Sequence, residues 1–139
     1  MRMTIENVFD VAGRAMSAQM VRLNTVATNL ANMGAVSGTE EGAFRPIRPV
    51  FRSEYDSAVG QTGLATVTVD SIVPLDRAPE RIHMPEHPDA DADGYIFRAS
   101  VNQEEEMVEM MDASRQYQTT LEAVSTLRTL MARTMSMGQ

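Results

Sequence analysis

Apolar residues recur at helical spacing near the start of the chain. Between Thr4 and about Asn32 there is no proline and a single glycine, Gly13, so one long helix is permitted. Its stripe advances in alternating steps of four and three residues and comprises Ile5, Phe9, Ala12, Met16, Gln19, Leu23, Val26 and Leu30. Gln19 is the one polar member. This pattern is typical of a helix that pairs lengthwise with another helix.

A second helical stretch runs from about Asn102 to Met137. The sequence Asn102-Gln103-Glu104-Glu105 predicts a capping box, in which Asn102 caps the helix and the Glu105 side chain reaches back to it. The stripe of this helix comprises Met107, Met110, Ser114, Tyr117, Leu121, Val124, Arg128, Met131 and Met135. Ser114 and Arg128 interrupt it. An amphipathic helix of this kind buries its apolar stripe against a partner.

Residues 34–100, between the two helices, have the composition of loops and short strands. All six prolines and six of the eight glycines lie there, which opposes long helices. Residues 65–69 alternate as a half-buried strand does, and the shorter strand candidates are residues 50–52, 81–83 and 95–97. We therefore predict a mainly α protein with a small β insert, an α+β fold.

The predicted organisation is one discontinuous helical domain interrupted by the insert. Its parts are an N-terminal helix in residues 1–33, a β-rich or irregular insert in residues 34–100, and a C-terminal helix in residues 101–139. The insert lets the chain ends return to one place. We expect the two terminal helices to pack as an antiparallel, coiled-coil-like pair, with the insert projecting from one end.

Charge and composition narrow the classes of function. The formal net charge is −7 and the chain has neither lysine nor cysteine, so the sequence predicts no nucleic-acid partner and no thiol chemistry. No window approaches the roughly 20 apolar residues of a membrane span, which predicts no membrane insertion. Polar residues interrupt the N-terminal segment before any apolar run of signal-peptide length.

An acidic loop before residue 95 has the opening spacing of a calcium-binding EF-hand. Asp89, Asp91, Asp93 and Gly94 occupy loop positions 1, 3, 5 and 6, but position 12 is Ser100 instead of the bidentate glutamate. Two prolines at 85 and 88 also oppose an entering helix. The main interpretation is an acidic turn that leads into a strand. The alternative is an acidic secreted calcium-binding adaptor that uses this loop.

Other candidate chemistry is weak. His83 and His87 have the spacing of two ligands on a helix face, with Asp89 nearby, but Pro85 prevents that helix. No G-x-S-x-G elbow is present. The acids of residues 86–112 lie among charged neighbours, which does not favour a buried general acid. We predict no metal site, no cofactor and no enzymatic activity.

Several motifs give the chain a resemblance to flagellar basal-body rod proteins over nearly its whole length. At the N-terminal end they are residues 7–13, 22–24 and the Asn-Leu-Ala-Asn run at 29–32; further along they are residues 87–95, 101–102, 106–108 and 113–118. The middle motif and the short length resemble the proximal-rod members most closely. One departure is Thr119-Thr120, where the family commonly has Ala-Asn.

The resemblance implies a structural subunit that polymerises through its terminal helices into the drive shaft carrying motor torque. It implies assembly with copies of itself and with other rod subunits. It also implies export by the flagellar type III apparatus, without a cleaved signal peptide, into the rod that spans the periplasm. The residues expected at the assembly interface are Ile5, Phe9, Met16, Leu23, Val26, Asn29, Leu30, Asn32, Met107, Met110, Tyr117, Leu121, Val124, Met131 and Met135.

The isolated subunit is expected to be unevenly ordered. Two exposed amphipathic stripes have too few partners to offset the entropy lost when the helices order. Neighbouring subunits would supply those partners. We therefore expect the terminal helices to be loosely ordered before assembly and the insert to be more resistant to proteolysis.

Overall fold

A computed structural model describes residues 5–55 and 65–138. Within these residues the chain forms two long helices and five strands in two small antiparallel sheets. The predicted helix start at Thr4 lies outside the described residues, as do Gly60 and Gly63 of the insert and residue 139 at the end of the C-terminal segment.

The N-terminal helix α1 is Ile5–Ala31, about 40 Å long at roughly 1.5 Å per residue. Its last turn is closed by the Asn32 amide, which donates to the Thr28 carbonyl oxygen at 3.1 Å, and the chain then turns from Asn32 to Ala35. The predicted helix and its end are confirmed. Neither described helix is long and apolar enough to cross a membrane.

The C-terminal helix α2 is Gln103–Met137, about 52 Å long by the same rise per residue. The Asn102 side chain caps it by accepting a hydrogen bond from the Glu105 amide at 3.1 Å. The predicted return bond from Glu105 is wrong, because its carboxylate instead accepts hydrogen bonds from Arg77. Half of the capping box is therefore present.

The two helices pack lengthwise and antiparallel. Asn29, near the end of α1, contacts Glu106 near the start of α2, and Gln19 contacts Gln116 further along the pair. Phe9 lies beside the C-terminal part of α2, with Val124 among its neighbours. This arrangement confirms the predicted mainly α fold with an antiparallel helix pair and a small β insert.

The face that α2 turns toward the protein is rotated from the predicted stripe. Buried or half-buried positions recur in steps of four and three residues and comprise Glu106, Met110, Ala113, Tyr117, Thr120, Val124, Leu127 and Met131. Met107, Leu121 and Met135 of the predicted stripe are exposed instead. A charged Glu106 replaces Met107 on the inner face because its charge is paired there.

Strands β2, Ile47–Glu54, and β3, Thr66–Pro74, form an antiparallel hairpin that packs along α1. Both are longer than predicted. The register shifts by one residue between Val50 and Phe51, which is a β-bulge. The hairpin runs alongside α1 from Asn29, which bonds Ile47, to Arg14, which lies 3.7 Å from a Glu54 oxygen. For this part of the insert, the predicted projection from one end of the helix pair is wrong.

The second sheet has the strand order β1-β5-β4, with β1 at Val36–Ser37, β4 at Glu80–His83 and β5 at Tyr95–Arg98. The strands predicted at residues 81–83 and 95–97 are confirmed; β1 was not predicted because two residues carry no periodicity. Gly94 has φ +81° in the turn before β5, and a Cβ there would lie 2.9 Å from Pro85 Cβ. Only glycine fits that position without strain.

Candidate assembly interface on the terminal helices

A buried carboxylate joins three elements at the end of the helix pair nearest the insert. Glu106 is 0% exposed. Arg48 of β2 donates to both of its oxygens, from Nη2 to Oε1 at 2.6 Å and from Nη1 to Oε2 at 3.0 Å. Asn29 Nδ2 donates to Oε2 at 3.1 Å. A charge buried this deeply is tolerated only when it is paired and hydrogen-bonded. We call Asn29, Arg48 and Glu106 the polar hub.

Asn29 connects α1 to the hairpin through its amide group. Its Oδ1 accepts from the Ile47 backbone N–H at 2.8 Å, and its Nδ2 donates to the Ile47 carbonyl oxygen at 3.0 Å. The side chain therefore pairs with β2 as a neighbouring strand would, while it also contacts Glu106. Aspartate has the same size but no donor, so an amide is required here.

A second ion pair extends the hub to the segment between β3 and β4. Arg77 Nη2 lies 2.8 Å from both carboxylate oxygens of Glu105, and Arg48 Nη2 lies 3.5 Å from Oε1. Because Glu105 is the residue whose amide bonds the Asn102 cap, the start of α2 is held from several sides. The insert is thus fixed to the helices by charged contacts.

Arg22 carries the next contact between the helices. Its guanidinium donates to Glu109 Oε2 at 2.8 Å and approaches Asp112 Oδ2 at 2.9 Å. Burial alone lowers the pKa of Arg22, but hydrogen bonds and charges from Glu109 and Asp112 raise it above the value of a free arginine. The side chain therefore stays charged throughout the range in which proteins are studied.

Gln19 extends the polar contacts along the seam. Its Nε2 donates to Gln116 Oε1 at 2.9 Å, and Gln116 Nε2 donates to Asp112 Oδ2 at 3.0 Å. The polar residue that interrupts the predicted apolar stripe thus makes a bond between the helices. Among the described residues, the buried Gln19 Oε1 has no hydrogen-bond partner.

The two ends of the helix pair differ in burial. Every fully buried residue of the described helices lies in residues 18–31 or 103–116, and these are Ala18, Thr25, Val26, Asn29, Glu106 and Ala113. We call these two ranges the hub half. We call residues 5–17 and 117–137 the distal half. The hub half holds the contacts within the subunit.

The distal half contains an apolar groove of about 540 Å³. It is lined by Phe9, Val124, Arg128, Met131, Ala132 and Met135, and Arg128 is its one charged side chain. Met135 of this lining is 74% exposed, and two other large apolar residues of the distal half are exposed as well, Ile5 at 46% and Leu130 at 53%. We call this surface the distal groove. It presents apolar area that the subunit itself leaves uncovered.

The predicted interface residues fall into two groups. Val26 and Asn29 are buried and the half-buried members are Phe9, Met16, Leu23, Leu30, Asn32, Met110, Tyr117, Val124 and Met131. Exposed members are Ile5, Met107, Leu121 and Met135. Members of the first group contribute to the fold of the subunit, whereas the second group faces outward. Their role in assembly stays a prediction.

Sequence reasoning missed Arg48, Glu106 and Arg22 as interacting residues. The available signal was a glutamate at position 106 on the side of the helix that carries Met110 and Ala113, where an apolar residue is expected. Its partner could not be named from sequence, because Arg48 lies 58 residues away along the chain.

The acidic loop is a turn held by the Asp91 side chain. Asp91 Oδ1 accepts hydrogen bonds from the amides of Asp93 at 3.0 Å and Tyr95 at 2.8 Å. His83 stacks edge-on against the Tyr95 ring at 4.9 Å, with Arg81 over the ring at 3.7 Å. Among the described residues, no three His, Asp or Glu side chains are grouped to hold a metal ion. The calcium alternative gains no support.

Two family models match the ends of this chain. "Flagella basal body rod protein" matches residues 9–38, which include most of α1, and "Flagellar basal body rod FlgEFG protein C-terminal" matches residues 92–137, which include β5 and α2. Asn29 and Glu106 of the polar hub lie in the first and the second matched range, respectively. The lining of the distal groove is divided in the same way, with Phe9 in the first range and the other lining residues in the second.

Curated relatives match the chain from end to end. It is 40% identical over 138 residues to "Flagellar basal-body rod protein FlgC" of Salmonella typhimurium, which covers 99% of this chain and 100% of the relative. The protein of the same name from Escherichia coli O157:H7 is 35% identical over 137 residues, with 99% and 100% covered. That of Aquifex aeolicus is 33% identical over 132 residues, with 95% and 96% covered.

Proposed function

Because this chain belongs to the FlgC family of flagellar basal-body rod proteins, we propose that its terminal helices are the surface through which it assembles. The chain is a structural subunit of the proximal rod of the flagellar basal body. Its neighbours there are other rod subunits.

The imbalance between buried and exposed apolar residues carries the proposal. Within the described residues the buried apolar side chains are Ala18, Val26, Ala43, Ile96, Ala99 and Ala113, four of them alanine. Nine large apolar residues on the two helices are exposed, and these are Ile5, Met20, Met107, Val108, Met111, Leu121, Leu130, Met135 and Met137. Exposed apolar surface of this extent marks an interaction site. A rod neighbour would cover it.

Assembly would supply the burial that the lone subunit lacks. Each large side chain moved from water into an interface contributes about 1.5–3 kcal/mol when fully buried. Several such residues on each subunit offset the entropy of ordering the helix ends. We infer that copies of this chain contact one another as well as other rod subunits, and that folding of the helix ends is coupled to assembly.

The polar hub gives the subunit a way to carry load between its helices and its insert. Arg48 belongs to the hairpin and Glu106 to α2, and their paired bonds of 2.6 and 3.0 Å fix both position and angle. A twist applied to the helix pair would therefore move the hairpin with it. A drive shaft that transmits motor torque needs such a connection.

Delivery by the flagellar type III export apparatus, without a cleaved signal, belongs to the same proposal. A subunit whose helix ends order only on assembly would be easy to thread through an export channel, because few contacts must be broken. The proposed location after export is the part of the rod that crosses the periplasm.

The test is electron microscopy of basal bodies from a strain that lacks this gene, complemented with the wild-type chain or with nothing. Loss of the rod without the chain, and its return with the chain, is the expected result. Complete rods in the deletion strain would contradict the proposal.

A further inference from the structure

We propose that successive copies of this chain join head to tail, the distal groove of one copy receiving the outward face of α2 formed by Met107, Val108 and Met111 of the next. We call these three residues the methionine face. The inference rests on the proposed function, since it names the two surfaces and the partner used in assembly.

The methionine face is apolar and turned away from the rest of the subunit. Met107, Val108 and Met111 are 51%, 65% and 62% exposed, while the neighbouring Glu106 and Met110 point inward. Residues 107 and 111 are one helical turn apart, so the three side chains form a continuous ridge. Methionine is flexible and polarisable, which suits it to an irregular groove.

The distal groove has the matching chemistry. Five of its six lining residues are apolar, and the sixth is Arg128. A groove along two helices accepts an amphipathic helix face that presents residues spaced by three or four positions. The methionine face has that spacing.

Charge favours this pairing over contact between two like ends. At the start of α2, Arg48 and Arg77 pair with Glu105 and Glu106, and Arg22 pairs with Glu109 and Asp112. Glu104, exposed in the first turn, lies next to the methionine face. In the distal half, residues 117–137 of α2 hold one acid, Glu122, and two arginines, Arg128 and Arg133. Docking would bring Glu104 of one copy toward Arg128 of the other.

The placement of the two surfaces predicts an open assembly. Residues 107 and 131 are separated by about 36 Å along α2 and by about two-thirds of a turn around it. A contact between two different surfaces is heterologous, and with an offset along the helix axis at each step it repeats as an open helix instead of closing into a ring. Two grooves, or two methionine faces, in contact would instead give a closed dimer and stop growth.

Cysteine cross-linking tests the pairing, because the chain has no cysteine of its own. Cells of the native bacterium lacking the wild-type gene would produce Val108→Cys and Ala132→Cys chains together and be treated with a short bismaleimide. Basal bodies would then be isolated and this chain detected by immunoblot. The matched control replaces Ala132→Cys by Ala123→Cys, an exposed position of α2 outside the groove.

We expect a dimer band in several-fold excess when both variants are present, compared with either variant alone or with the Ala123→Cys pair. Equal bands from a single variant, equal bands with the control, no band, or a product with the mass of a different subunit would each overturn the head-to-tail pairing. Chain that is present in basal bodies but not cross-linked would leave the proposed function standing. Chain that is absent from them would defeat the proposed function itself.

A charge exchange gives a second readout that does not depend on cross-linking. Arg128→Glu is expected to reduce the fraction of motile cells, and adding Glu104→Arg is expected to restore part of it. Failure of the double variant to exceed the single variant at equal cellular levels would count against the contact between the two residues.

Discussion

The hub half and the distal half of the helix pair use the same two helices in different ways. In the hub half, buried polar contacts join Asn29, Arg48 and Glu106. In the distal half no described residue is fully buried, and the groove beside Phe9 is lined almost entirely by apolar side chains. In the hub half, directional bonds hold the subunit together and the exposed large apolar residues of α2 are confined to the outward methionine face, whereas the distal half leaves an apolar groove open to neighbours. The difference predicts which changes unfold the subunit and which only stop assembly.

The largest effect on stability is expected from Glu106→Ala. Removing one partner of a buried ion pair leaves Arg48 with its 3.5 Å contact to Glu105 as the one remaining ion pair among the described residues and costs about 3–5 kcal/mol in the free energy of unfolding. Urea unfolding of the purified subunit measures this cost. Glu122→Ala, at an exposed acid of the same helix, is the control and should change the free energy by less than about 0.5 kcal/mol. Equal effects of the two changes would show that the polar hub does not stabilise the subunit.

A smaller loss is expected from Asn29→Asp. The change keeps the shape but removes the donor that bonds the Ile47 carbonyl and Glu106, at a cost of about 1–3 kcal/mol. Because Asn24 is exposed on the same helix, Asn24→Asp serves as the control with less effect. If both variants unfold at the same urea concentration, the amide at position 29 has no special role.

Arg22→Ala should cost about 1 kcal/mol, between the values for exposed pairs and for bonds to buried charges. The pKa of Arg22 is raised in the folded subunit, so its contribution is fully present below the pKa of the unfolded arginine and is lost only as the pH rises through the folded value. Stability measured against salt at neutral pH should fall more in the wild type than in the variant. Parallel salt curves would contradict the assignment.

The smallest effect on unfolding is expected from Leu121→Asp in the distal half. Leu121 is 47% exposed, so the change should shift the free energy of unfolding by less than about 0.5 kcal/mol. Motility on soft agar should nevertheless be lost, because a carboxylate would be buried at the contact with a neighbour. Ala123→Asp, at another exposed position of α2, is the control and should swarm normally. Normal swarming by Leu121→Asp would place this part of α2 outside the interface.

The local features of the fold could be predicted from sequence. The stripe from Ile5 to Leu30, the cap at Asn102 and the strand around residues 65–69 follow from periodicity and capping chemistry, which act within a few residues. The bounds of the hairpin were less visible, since the strands continue through Pro49 and up to Pro74. An edge strand tolerates proline because the backbone N–H groups on its outer side have no neighbouring strand to bond.

The contacts that distinguish the two halves could not be predicted. The predicted stripe passes through Met107 and leaves Glu106 outside it, because an apolar residue is normally preferred inside. Only the position of Arg48, 58 residues distant, makes a buried glutamate favourable. Long-range ion pairs of this kind leave no periodic trace in a sequence.

Hydrogen exchange along α1 in the isolated subunit tests the central claim most directly. If the helix ends order only on assembly, amides of residues 18–31 should exchange slowly and those of residues 5–17 quickly in the free subunit, and both ranges should be protected in purified basal bodies. This gradient sharpens the expectation that the helix ends order on assembly, because it confines the disorder to the distal half. Equal protection of the two ranges in the free subunit would contradict it.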